Sequence, residues 1–124
     1  MKQKILNVVS VLFGLLLLNG GLNKFFNYMP APDDISEAMK KDFGALMEIS
    51  WLMPLIALAE IVSALLIMIP RTRALGALVI FPVAVGILLT HLFVDTSGLV
   101  IALVVWAVLL WILYENREKY KALF

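Results

Sequence analysis

Apolar residues dominate four stretches of this chain, 5–23, 49–70, 74–94 and 96–114. A helix rises about 1.5 Å per residue and a bilayer's hydrocarbon core is roughly 30 Å thick, so ~20 apolar residues span it. Only one stretch carries a charged side chain in mid-span, Glu60. Residues 11–18 and 99–113 offer no polar face, which a soluble bundle would need on every helix. The pattern predicts membrane helices at about 5–26, 52–69, 74–94 and 98–115. The expected fold class is all-α: an integral membrane four-helix bundle in a single domain, 1–124, with one additional outer amphipathic helix.

That extra helix is read from the segment between the first two apolar runs. Pro30 and Pro32 end the first helix, and Asp34 with Glu37 three residues on resembles a capping box, with Asp in place of Ser or Thr. Ile35, Met39, Phe43 and Leu46 or Met47 then recur at helical spacing, with charged residues on the other face. This predicts an amphipathic helix over about 34–49. It serves either as an interfacial helix or as a lid over an outward-facing pocket, and its apolar face should point down onto the bundle. The other connections, 70–73 and 95–98, are short turns, so the last three membrane helices are antiparallel neighbours. Pro54 falls where a missing N–H is harmless, at the start of the second membrane helix. Pro82 lies mid-span and removes the usual partner of the Leu78 carbonyl, which predicts a kink on which a cavity could be built. Gly20, Gly21, Ala57, Ala64, Ala77 and Ala84 are small residues suited to close helix packing.

Composition agrees: 63% of residues are hydrophobic and 15% charged, and the mean hydropathy is +1.00. The chain has no cysteine, which closes thiol–disulfide chemistry, thiolate nucleophiles and iron–sulfur ligation to it acting alone. Its single histidine, His91, excludes a haem held by two imidazoles of one subunit. Glu60, His91 and Asp95 lack the spacing of a metal site, so no metal is expected. A net charge of +1 without a basic stripe argues against nucleic acid. The first apolar run is too long for a signal-peptide core and is followed by no small-residue cleavage site, so it is expected to remain as the first membrane helix. Lys2, Lys4, Arg71, Arg73, Arg117, Lys119 and Lys121, seven in all, would lie on one side, against three, Lys24, Lys40 and Lys41, on the other. The positive-inside rule then places both termini in the cytoplasm of a multi-pass protein of the cell (inner) membrane.

The polar groups inside the membrane are where function is sought. A carboxylate at a helix centre costs at least ~2.5–3.5 kcal/mol, so Glu60 should carry a proton or be paired. Counting ten residues in from Pro70, and ten from Leu6 on the first helix, sets Glu60 level with Leu16. Asn19 then lies ~5 Å above Glu60, and Asn23, Lys24 and His91 ~10–12 Å above it. On this arithmetic a direct Lys24–Glu60 pair is borderline, and a path through Asn23 or water is easier. His91 precedes Asp95 by four residues, a spacing at which the two can interact if the helix continues. The expected site is a polar shaft opening outward: Glu60 at the bottom, Asn19 and Asn23 along one wall, Lys24 and His91 near the mouth. It is read either as a small-molecule or proton site or as a hydrogen-bond clamp between helices.

Three segments resemble the DoxX family of small four-helix membrane proteins: FGLLLLNGGLNKF at 13–25, AEIVSALL at 59–66 followed by PRTR at 70–73, and GILLTHLF at 86–93 followed by Asp95 and Gly98. Lys24, Glu60, Arg73 and His91 match the family pattern, while Ser63 stands where relatives commonly carry glycine. The resemblance implies an accessory or ligand-binding membrane protein linked to respiratory or quinone redox chemistry, since the family is named for subunits of quinone-linked complexes. No covalently bound cofactor is expected, and the implied ligand is a quinone or lipid held by Glu60, Asn19, Asn23, Lys24 and His91. The alternative is a chaperone or scaffold for a membrane-protein partner, or a homo-oligomer, in which the shaft only fixes packing. No catalytic residue is assigned.

Overall fold

The computed structural model describes residues 1–29 and 35–124. Among these the fold is all-helical: α1 (Lys2–Phe26), α2 (Glu37–Glu48), α3 (Leu52–Met68), α4 (Arg73–Phe93), α5 (Leu99–Glu115) and a short α6 (Arg117–Tyr120). Helices α1, α3, α4 and α5 run up and down as consecutive neighbours, and α5 closes the bundle against α1. Leu6, Phe13 and Leu17 of α1 meet Ile67 of α3, Ile80 of α4, and Leu109 and Ile112 of α5 in the core. The outer faces are as apolar as the inner ones; Leu12 is 61% exposed and Val100 74%. In water such faces would form a continuous sticky surface, whereas in lipid they are solvated. Helices α1 and α4, and the stretch Thr96–Glu115, are long and apolar enough to cross a membrane. Helix α3, at 17 residues, is at the lower limit of a span and turns through 95° into α2, with which it forms a bent pair.

Local chemistry sets the helix ends. Asn27 closes α1 in the left-handed conformation at φ 51°, and its N–H donates to the Asn23 carbonyl at 2.7 Å. At the other end α1 reaches back to Lys2, so the polar residues before the apolar run are helical too. Helix α2 starts at Glu37, and Ser36 is its cap: the Ser36 hydroxyl oxygen accepts from the Met39 N–H at 3.2 Å. The expected Asp34 cap lies outside the described residues, as do Pro30 and Pro32. Between α3 and α4, the Thr72 hydroxyl donates to the Leu66 carbonyl at 2.8 Å and Arg73 Nε to the Ile67 carbonyl at 2.7 Å. These satisfy carbonyls that a helix end otherwise leaves open. Arg73 is therefore buried rather than displayed at the membrane surface, and its Nη1 also donates to Asn7 Oδ1 at 2.8 Å, tying α1 to the turn.

Glycines decide how α1 sits on α3. A Cβ added at Gly14 would lie 3.0 Å from the Ala64 carbonyl oxygen, and one at Gly21 would lie 2.8 Å from that of Ala57. Both pairs are seven residues apart on their own helices, so two turns of α1 lock onto two turns of α3. Small residues let backbones approach to this distance. The result sets Gly20, not Leu16, beside Glu60, one helical turn away from the register expected from the run edges.

Candidate functional site

At the end of the bundle opposite the chain termini, a cavity of about 760 Å³ lies beneath α2. Ile35, Met39, Phe43 and Leu46 form its cover, so the apolar face of the amphipathic segment does turn down onto the bundle. Met39 is the anchor of that cover and is buried. Met53 and Ile56 of α3 and Val83 and Ile87 of α4 supply apolar walls. Pro82 and Gly86 face the same space; α4 remains helical through Pro82, and a Cβ at Gly86 would meet nothing within 4 Å.

The polar groups of the cavity come from four elements. Lys24 of α1 reaches Glu60 of α3, with Nζ 2.8 Å from Oε1. The pair, borderline on the sequence arithmetic beside an easier path through Asn23 or water, is direct because the glycine register lowers Lys24 to within one turn of Glu60. Gly20 is part of the fit: a Cβ there would lie 2.8 Å from Glu60 Oε2. The Glu60 side chain is 7% exposed and that of Lys24 27%. The charge in mid-span is thus compensated, the condition under which a buried ion is tolerated. Ser63 is buried below it and donates its hydroxyl to the Glu60 carbonyl at 3.0 Å.

His91 lines the cavity from the last turn of α4. Its Nδ1 lies 3.1 Å from the backbone carbonyl of Asp95, not from the Asp95 carboxylate, because α4 ends at Phe93 and the chain turns. The ring rests on Gly98, where an added Cβ would come within 2.8 Å of Nδ1. The Asp95 carboxylate instead accepts from the Ser97 N–H at 2.9 Å, with the Ser97 and Ser36 side chains beside it. The Ser97 N–H foremost, then these two serines, hold the Asp95 carboxyl down to about 2. Ser36 caps α2, so Asp95 sits where the cover meets the α4–α5 turn.

Of the five residues expected to line a shaft, the structure brings Lys24, Glu60 and His91 to one cavity and leaves Asn19 and Asn23 out of it. The Tyr28 hydroxyl donates to Asn19, 2.9 Å from its carbonyl oxygen, and the Met29 N–H donates to Asn23 Oδ1 at 2.8 Å. Both asparagines therefore fold residues 27–29 back against α1 rather than forming a wall. Thr90, Asp95, Ser97 and Gly98 belong to the cavity and were not among the expected site residues. The position of Thr90 next to His91 was a signal; that of Gly98 was legible only as turn chemistry. Among the described residues no group of three His, Asp or Glu side chains converges as a metal site would require.

Comparison with known proteins agrees with this architecture. YwoB of Bacillus subtilis (strain 168), a protein described as uncharacterized, is 33% identical over 69 residues, which are 56% of this chain and 45% of that protein. The chain thus spans less than half the length of this relative. No solved structure matches. The model of the DoxX-like family matches residues 8–113, all but the two ends. With its apolar helices and this match over nearly its whole length, the chain belongs to the DoxX-like family and has the features of a membrane protein.

Proposed function

We propose that this DoxX-like protein holds a hydrophobic small molecule, a quinone or a lipid, in the cavity under α2, as an accessory or ligand-binding protein of respiratory or quinone redox chemistry. The observation that carries the reading is the cavity itself. Its volume of about 760 Å³ suits a small ligand, its walls are mostly apolar, and a few polar groups converge within it. The redox association rests on the family resemblance. On the positive-inside count the protein sits in the cell (inner) membrane with both termini cytoplasmic, and the cavity then opens toward the outer face. Lys24, Glu60 and His91 orient the bound head group, and α2 covers it.

A second reading has its own support. The Lys24–Glu60 pair joins α1 to α3 at 2.8 Å and would clamp the bundle whether or not anything binds, as in a scaffold or chaperone for another membrane protein. Mass spectrometry of small molecules and proteins that co-purify with the wild type and with Gly86→Leu separates the two. Leucine at 86 projects into the cavity, where a Cβ meets nothing within 4 Å, and takes up part of its volume. A quinone or lipid retained by the wild type and lost from the variant supports the ligand reading. A protein partner retained equally by both, with no small molecule in either, supports the scaffold.

A further inference from the structure

The hydrogen-bonding character of the cavity is lopsided. Thr90 spends its hydroxyl proton on the Gly86 carbonyl at 2.8 Å, which leaves Oγ1 only lone pairs. The carbonyl of Asp95 has no proton to give, so His91 Nδ1 carries one, and in a neutral imidazole Nε2 is then an acceptor. Ser97 gives its N–H to the Asp95 carboxylate at 2.9 Å, and its hydroxyl lies beside that same carboxylate. Glu60 takes one proton of Lys24 on Oε1, and its Oε2 has no hydrogen-bond donor among the described residues. Oε2 faces Gly20, where an added Cβ would lie 2.8 Å from it, and Glu60 also lines the cavity. The polar lining therefore presents acceptors from Glu60, Thr90 and His91, and the remaining protons of Lys24 as donors.

Resting on the reading of the cavity as a ligand site, and narrowing that ligand to a quinol or a lipid alcohol rather than a quinone, we infer that its occupant is an apolar molecule carrying a hydroxyl group, selected over the corresponding ether or carbonyl compound because acceptors of the lining lack donor partners. A hydroxyl can donate to one of these acceptors while accepting from Lys24 Nζ. A carbonyl or ether can do only the second, and would leave a desolvated acceptor unpaired. Depth gives the acceptors different reach: Glu60 is eight residues into α3 from Leu52, about 12 Å, whereas His91 is two residues from the end of α4, about 3 Å. The hydroxyl could come from an aromatic head or from an aliphatic, lipid-like alcohol.

The test uses the full-length protein in lipid nanodiscs and two matched probe pairs: 4-nonylphenol with 4-nonylanisole, and 1-dodecanol with dodecyl methyl ether. Equilibrium retention of each probe is measured on the wild type and on Gly86→Leu, whose side chain takes up part of the cavity. The expected result is that the wild type retains the hydroxyl member of one pair about tenfold better than its ether, the worth of roughly one hydrogen bond, and that Gly86→Leu loses this retention. The pair that shows the preference identifies an aromatic or an aliphatic source. Equal retention of alcohol and ether by the wild type, both displaced in Gly86→Leu, overturns the inference and leaves the ligand site standing. No retention of any probe by the wild type above that of protein-free nanodiscs overturns both.

Discussion

Lys24 Nζ lies 2.8 Å from Glu60 Oε1 across the α1–α3 contact, and it does so because Gly20 leaves room for the other carboxylate oxygen. The pair solves the problem posed by a charge in an apolar helix, and it borders the cavity beneath α2. Removing either member has consequences for both packing and binding, and the size of the change depends on which atoms replace the carboxylate.

Glu60→Gln keeps the shape and offers Lys24 a neutral acceptor, so the fold should persist with a loss of about 1 kcal/mol or less, while ligand retention falls. Glu60→Leu strands the ammonium. Lys24 is more than a quarter exposed and recovers some solvation, so the loss should be about 1–3 kcal/mol rather than the full value of a deeply buried pair. Thermal unfolding in detergent beside ligand retention reads both. A Gln variant equal to wild type in both assays would make Glu60 purely structural.

The glycines should behave unequally. Gly21→Ala drives a Cβ against the Ala57 carbonyl, which belongs to a backbone that cannot step aside, and should destabilise by about 1–3 kcal/mol. Gly20→Ala meets the end of the Glu60 side chain, which can move, so its effect should fall on the Lys24 pair more than on stability. Gly86→Ala points into open space and removes a helix-interior glycine, so it should be neutral or stabilise by up to about 1 kcal/mol. Unfolding temperatures of the three variants, ranked in one detergent, check this order.

The charge of Asp95, which lies beside Ser36 at the start of α2, should help hold the cover closed. Its folded pKa, about 2, is below the ordinary 3.8, so its contribution is complete above pH 4 and fades as pH falls through 2. Near neutral pH the latch should therefore be insensitive to acidity, and Asp95→Asn should loosen it wherever Asp95 is ionised. Trypsin cleavage at Lys40 and Lys41, which are exposed on α2, should become several-fold faster in that variant at pH 7. Unchanged cleavage would mean that α2 is held by its apolar face alone.

That apolar face has its own test. Phe43→Asp places a charge among Met39, Leu46 and the cavity walls, whereas Lys41→Asp alters only an exposed position. The first should cost about 1–2 kcal/mol from lost apolar burial and release the cavity's occupant, and the second should do neither. Thermal stability and ligand retention distinguish them.

Orientation can be read directly. With cysteines introduced singly at Ser36 and Phe124 of a chain that has none, an impermeant maleimide added to intact cells should label position 36 and spare position 124 until the membrane is permeabilised. The opposite pattern would invert the topology and turn the cavity toward the cytoplasm.

The helices, their antiparallel order and the outer amphipathic segment were legible in the chain, because each depends on local quantities: run length, turn residues and the spacing of Ile35, Met39 and Phe43. Glu60 also stood out alone, since a charge in an apolar run is visible without any neighbour. What surrounds it was not. The level of α1 on α3 depends on Gly14 and Gly21 fitting under the Ala64 and Ala57 carbonyls, and a slide of one turn, ~6 Å, separates a remote Lys24 from a bonded one. Asn19 and Asn23 had the right depth for a site, but their side chains are spent closing the end of α1. His91 found the Asp95 carbonyl instead of its carboxylate because the chain leaves the helix between them. Sequence by itself determined which groups had to be explained, through the free energy of burying charge and apolar surface; only the tertiary structure decided which of them meet, because contact across helices is set by backbone approach and side-chain direction.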